Sequence, residues 1–261
     1  MKKIAVCYKW VLSDTDIRVN EKTRELDMEK TKPQVSEYDR NSLAAGVALK
    51  AAAGASEIVG VTCGTAAESS SKDALSRGPD AVYFLDDPVM ASADSTTTAK
   101  VLAGMIKNIQ DVDVVICSEA SSDEFAQQTG PRLAALLGYP SVTGVSAIAA
   151  DGDCLTLDRK MADGTEVVSL KVPVVISTVP EIKEAPIPSV KDILGAKKKP
   201  SNALTLAGIG LSAEAAKPLF AINSVLAPES KRKVVCMNPE GISIDDAAKA
   251  LIKQLASDGI L

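Results

Sequence analysis

The chain has 261 residues, 46% of them apolar, a formal charge of −5 and no histidine. That length buries one sizeable core, or one core with an appendage; the mild acidity supplies no overall field toward nucleic acid or anionic lipid, and an aromatic content of 3% argues against a base-stacking platform. The missing histidine removes the usual neutral-pH proton shuttle and every Ser-His or Cys-His nucleophile pair, which disfavours hydrolytic chemistry.

In chain order, Ile4 to Tyr8 is a compact apolar run that Lys9 breaks too early for a secretory leader, and it predicts the first buried strand of a cytoplasmic protein. Similar runs at Glu57 to Cys63, Ala81 to Leu85, Val112 to Cys117 and Pro173 to Thr178 predict further buried strands. Helical spacing fills the gaps: Tyr38 to Ala53 closed by Gly54, Ala66 to Arg77 closed by Gly78, and Ser95 to Ile109. Alternation of this kind predicts an α/β fold, a Rossmann-like three-layer α/β/α parallel sheet. Ser36 with Asp39 three residues on predicts a helix start, the serine capping an amide and the acid favouring the positive end. A fourth helix is predicted over Thr129 to Leu137. Asp153 to Arg159 and Thr165 to Lys171, alternating around Ala162-Asp163-Gly164, predict an added antiparallel hairpin.

From Pro180 the pattern changes. Pro186, Pro188, Pro200, Pro218 and Pro228 break the chain into pieces that do not build a core of their own. A strand over Lys233 to Met237 and an amphipathic helix over Ile244 to Leu255, capped by Ser243, are expected to close the chain. The expected division is a nucleotide-binding α/β domain over residues 1–187 and, over 188–261, an arm that packs on another subunit. The triplet Lys197-Lys198-Lys199 is expected to be a solvated charge run. No window reaches the roughly 18 to 20 apolar residues of a membrane helix. Cys7, Cys63, Cys117, Cys154 and Cys236 are scattered without a CxxC pair, which argues against a disulfide framework and a metal site, and for a reducing compartment.

The segment most informative about chemistry is Cys117 to Pro140, CSEASSDEFAQQTGPRLAALLGYP, where a strand gives way to a small polar loop that opens into a helix. Unpaired amides over Gln127 to Gly130 would favour a phosphate through hydrogen bonds and the helix dipole. Asp123 and Glu124 would repel that phosphate, so their side chains are expected to turn toward ribose hydroxyls or backbone amides. Cys63-Gly64-Thr65 ends the second predicted strand and Cys7 lies in the first, so both are expected at the same carboxyl edge. No lysine or carboxylate pair is placed for catalysis, so a binding site without catalytic residues is expected.

Several stretches resemble the beta subunits of electron-transfer flavoproteins, over nearly the whole chain: Val61-Thr62-Cys63-Gly64, the helix end Ala74-Leu75-Ser76-Arg77-Gly78, the loop ending in Gln128-Thr129-Gly130, and RKMADGTEVVSLKVPVVIS from Arg159 to Ser177. Where the common pattern reads Gly-x-Gln-Ala-Ile-Asp, this chain has Ser118-Glu119-Ala120-Ser121-Ser122-Asp123, similar to the Fix-type branch associated with carnitine metabolism. The resemblance implies nucleotide contacts at Cys7, Ser36, Glu37, Tyr38, Asp39 and Cys63, and at Ser118, Glu119, Ala120, Ser121, Ser122, Asp123, Glu124, Phe125, Ala126, Gln127, Gln128 and Thr129. It implies a docking loop from Pro188 to Lys199, with Val190 as apolar anchor and Ile193 and Leu194 beside it. It further implies a heterodimer with an alpha subunit that carries FAD, shuttling electrons between dehydrogenases or NADH and an acceptor, with an acyl-CoA-type dehydrogenase or quinone-reducing oxidoreductase as redox partner. AMP or a second FAD would sit in this subunit, the latter allowing bifurcation. The alternative is a nucleotide-sensing regulatory α/β module without a redox role, expected as a homodimer. A stand-alone ATP-using enzyme would need a Gly-rich loop after the first strand, where Trp10 to Thr15 reads WVLSDT.

Overall fold

Strands buried on both faces dictate the centre of this molecule. In the computed structural model, residues 1–229 and 241–261 are described, and they form two units, Met1–Arg18 with Leu26–Val225 and Val19–Glu25 with Leu226–Leu261. The elements run β1 (Lys3–Cys7), β2 (Trp10–Leu12), β3 (Arg18–Val19), β4 (Leu26–Asp27), β5 (Pro33–Val35), α1 (Glu37–Ala53), β6 (Glu57–Gly64), α2 (Ala67–Ser76), β7 (Ala81–Asp86), α3 (Ser95–Ile109) and β8 (Val112–Ser118). They continue with α4 (Thr129–Leu137), β9 (Ser141–Asp151), β10 (Cys154–Met161), β11 (Gly164–Lys171), β12 (Val174–Thr178), α5 (Val190–Ala196), β13 (Ser201–Leu204) and α6 (Ile244–Ser257).

Nine strands form one sheet in the order β11-β10-β9-β12-β8-β1-β6-β7-β13. Pairing is parallel from β9 through β13, and β10 and β11 extend it antiparallel from β9. Successive strand residues point to opposite faces, so Ile4, Val6, Ile116 and Ile176 pack under α1 and α2 through Leu43, Leu49 and Leu75. Ala5, Val59, Val115 and Val175 pack on the other face under α3 and α4 through Val101, Met105 and Leu133. This is the three-layer α/β fold that the alternation predicts. Gly54 ends α1 in the left-handed conformation, φ 62°, as its place after the last apolar repeat predicts.

Several local expectations come out differently. Ser36 does occupy the position before α1, but its side chain caps no helix amide. Its buried hydroxyl instead accepts from the Ser122 amide at 3.2 Å, a partner far along the chain. Lys199 departs from the expected solvated run: it is half-buried, and its ammonium donates to the carbonyls of Leu75, Gly78 and Pro79 at 3.0, 3.4 and 2.7 Å, tying off the end of α2. The long strand β9 has no counterpart among the predicted strands. Residues 190–225 belong to the larger unit, where α5 packs on α2 and β13 pairs with β7. In the smaller unit, Ser243 caps α6 as predicted, accepting from the Asp246 amide at 3.2 Å. The strand expected over Lys233 to Met237 lies outside the described residues. No helix among the described residues is long and apolar enough to cross a membrane.

Candidate functional site

From β1 the chain builds outward through α1 to β6 and β7; it then crosses back through α3, on the opposite face, to β8 on the other side of β1. The strand order therefore reverses between β1 and β8, and the carboxyl ends of the strands splay there into a crevice, the usual ligand position in an open α/β sheet. A cleft of about 300 Å³ opens at this point. Its walls come from Cys7 to Trp10 at and beyond the end of β1, Asp39 of α1, Cys63 to Thr65 at the end of β6, Met90, Ala91 and Ala93 in the turn before α3, Ser95, Thr98 and Leu102 of α3, and the end of β8 with the loop leading to α4.

Three thiols from neighbouring strands, Cys63, Cys7 and Cys117, make a soft floor. A hydrogen bond with Cys117, together with burial, pushes the Cys7 thiol well up, and burial pushes Cys63 up to about 12. Neutral thiols are poor nucleophiles and poor metal ligands, and among the described residues no group of three ligating side chains is arranged to hold a metal.

Asp39, in the first turn of α1, is buried beside this floor. Its Oδ2 accepts from the Lys9 amide at 2.7 Å, and its Oδ1 meets the Ser118 hydroxyl, which also lies 2.7 Å from the Ala120 carbonyl. Burial raises the Asp39 carboxyl to about 7, against the pull of the Ser118 and Lys9 hydrogen bonds and the Lys9 charge. A protonated Asp39 satisfies this geometry: it donates to Ser118 Oγ, whose single proton then goes to Ala120 O.

Lys9 projects from the end of β1 and bridges two acids of the opposite loop, Asp123 at 2.8 Å and Glu124 at 3.1 Å. Burial alone would lower the Lys9 ammonium, but the two carboxylates outweigh it and raise it. Burial would likewise raise Asp123, but hydrogen bonds from Lys9 and Ser121 bring it below the usual carboxylate range. The two acids, expected to face ribose hydroxyls or amides, are thus committed to Lys9; Asp123 also accepts the Glu124 amide at 2.8 Å.

The loop delivers the chain into α4, whose entering residue Gln128 makes no side-chain cap. Pro131 has no N–H, so the orphan donors of the first turn are the amides of Thr129 and Gly130. Gly130 is where glycine is required: a Cβ there would lie 2.2 Å from Ser177 Oγ on β12, so only a bare Cα lets this turn sit against the sheet. Half-buried Thr129 lines the cleft and Gly130 beside it is buried; donors at the positive end of a helix, beside a polar cleft, suit a phosphate.

The sequence model of the electron transfer flavoprotein domain matches residues 25–208, well over half of the chain. The chain belongs to the electron transfer flavoprotein family. Electron transport in partnership with flavin-binding redox proteins is the role that goes with this family. In this electron transfer flavoprotein, Cys7, Asp39, Cys63, Ser118 to Ser121, Asp123, Glu124 and Ala126 to Thr129 line one cleft. Ser36, Glu37, Tyr38, Ser122 and Phe125 do not line it. Ser36 lies beneath Ser122, Glu37 is exposed, and Tyr38 meets Phe125 edge-on with ring centroids 5.7 Å apart. Val190, Ile193 and Leu194 are exposed on α5, which a Ser189–Asp192 capping box starts. Sequence reading missed Lys9, Trp10, Thr65, Met90, Ser95 and Thr98 as lining residues. For Lys9 and Thr65 the signal was available, since each follows directly on a parallel strand.

Proposed function

We propose that this chain is the nucleotide-holding, beta-type subunit of a heterodimeric electron transfer flavoprotein, with the adenylate of AMP or of a second FAD in the β1/β8 cleft. The observation that carries the reading is the uncapped first turn of α4, held against β12 by Gly130, with the Thr129 and Gly130 amides free at the carboxyl edge of the sheet. FAD, held by an alpha-type partner subunit, supplies the chemistry of electron carriage between a dehydrogenase or NADH and an acceptor. This chain's own residues bind and orient. The two amides and the Thr129 hydroxyl hold the phosphate, the side chains of Cys7, Cys63 and Cys117 pack against the base, and Asp39 keeps the Lys9 segment and Ser118 in register. Electron or hydride passage through the flavin asks no proton-transfer pair of this chain, which fits a sequence without histidine.

The Ser118 to Asp123 sequence favours the Fix-type branch, and the free thiols of Cys7, Cys63, Cys117 and Cys154 suit a reducing cytoplasm. The exposed trio Val190, Ile193 and Leu194 offers a small apolar anchor to an acyl-CoA-type dehydrogenase or a quinone-reducing oxidoreductase, the format of a fast-exchanging contact. The deciding experiment is purification with the partner subunit and mass spectrometry of the nucleotides released. AMP or FAD in excess of the partner's own flavin is expected, and Gln128→Ala with Thr129→Ala should lower it. A colourless homodimer would refute the reading.

A further inference from the structure

The loop between β8 and α4 is poorly secured for a segment that must present two amides in fixed positions. Residues 122–128 are exposed and contribute nothing to either core cluster. Phe125 and Gln127 adopt left-handed backbone, φ 49° and 56°, which costs residues with a side chain energy. A strained loop without packing relaxes unless something outside it holds it.

Its outside anchors in the structure include the Ser122 amide on Ser36 Oγ at 3.2 Å, the edge contact of Phe125 with Tyr38, and the Lys9 ammonium on Asp123 and Glu124. Lys9 is well placed for this. Its amide donates to buried Asp39 at 2.7 Å and its carbonyl accepts from the Ser36 amide at 3.0 Å, so its backbone is fixed on both sides while its side chain reaches across. Among the described residues that line the cleft it is the one with a positive charge, and that charge is directed at the loop.

We propose that Lys9 is a latch: by bridging Asp123 and Glu124 its ammonium holds the loop in the conformation that presents the α4 amides, so that Lys9 sets how long a nucleotide stays. The proposal deepens the nucleotide reading above and rests on it for its ligand. Lys9 is a positioning residue here, acting through two carboxylates and not on the phosphate itself.

The test is a charge cycle on the purified heterodimer, with AMP as probe and two readouts: the AMP dissociation rate, and amide hydrogen exchange of residues 119–128 without added nucleotide. Lys9→Met should speed AMP loss about two- to thirtyfold, the scale of two partly exposed ion pairs, and speed loop exchange by a similar factor while the sheet stays protected. Lys9→Arg should restore both. In the Asp123→Asn, Glu124→Gln background, Lys9→Met should change neither. A Lys9→Met effect that persists or grows in that background means direct contact with phosphate and overturns the latch, as does unchanged loop exchange in the single variant. A wild-type heterodimer that retains neither AMP nor FAD beyond the partner's own flavin, while its loop exchange still responds to Lys9, would sink the nucleotide reading and leave the loop-holding role of Lys9 standing.

Discussion

Replacing Asp39 by asparagine tests the electrostatics of the cleft most directly. The carboxyl is 4% exposed and its folded pKa is about 7, against an ordinary 3.8. Burial is the main cause and the nearby Asp123 charge adds to it; the bonds to Ser118 and the Lys9 amide, with the Lys9 charge, work the other way. Because the folded value lies above the unfolded one, the folded protein keeps this proton longer. Stability from the group is therefore complete below the unfolded pKa and is lost as pH rises toward the folded one. At about 1.4 kcal/mol per pH unit, that loss reaches about 4 kcal/mol by neutrality. Asparagine imitates the protonated acid: its amide can donate to Ser118 Oγ while its carbonyl accepts the Lys9 amide, and it carries no charge to desolvate. In urea titrations, the stability of Asp39→Asn relative to the wild type should rise by about 2–3 kcal/mol between about pH 5 and pH 8. Parallel profiles for the two proteins over that window would refute the assignment of a neutral, buried Asp39.

Gly130→Ala drives a methyl onto Ser177 Oγ and should cost about 1–3 kcal/mol along with nucleotide retention; Ser177→Ala, which removes a hydroxyl that has no hydrogen-bond partner among the described residues, should recover part of both. Lys199→Met leaves three carbonyls without their shared donor and should cost about 1–3 kcal/mol in urea titrations, whereas Lys197→Met and Lys198→Met should stay within about 0.5 kcal/mol of wild type. Val190→Ala truncates a side chain that is 74% exposed; it should leave stability within about 0.5 kcal/mol of wild type while slowing electron delivery in a dye-coupled assay, and equal rates would remove Val190 from the docking surface.

The strands legible in the sequence are the ones buried on both faces. β1, β6, β7, β8 and β12 carry largely apolar runs because helices cover them above and below. β9 was not legible: Val142 and Val145 are its buried side chains, and the rest is Ser, Thr, Gly, Ala, Asp and one Ile, half covered or exposed. β13 is four residues long and pairs with β7 along the edge of the sheet, too short to set up a pattern. At the site, the loop from β8 to α4 was legible because strand, polar loop and helix start follow in sequence. The turn over Pro88–Ser92 was not, since it reaches the cleft through the crossover to β8, which no local pattern shows. Ser36 makes the same point in reverse. Local rules place a cap there, and the hydroxyl instead serves an amide 86 residues away.

The charges of the cleft fit together once Asp39 is neutral. Lys9 has two carboxylates to satisfy, Asp123 and Glu124, and an ionised Asp39 would set a third acid beside them. With the Lys9 cation engaged by the loop, an incoming phosphate is left with the amides of Thr129 and Gly130 and the positive end of α4. These donors are fixed in the backbone and carry no mobile charge, so they tolerate acids nearby in a way that a free lysine would not. On the proposed nucleotide reading, the acidic residues of this loop, which look misplaced beside a phosphate in the sequence, are the counter-charges that keep Lys9, and through it the loop, in position.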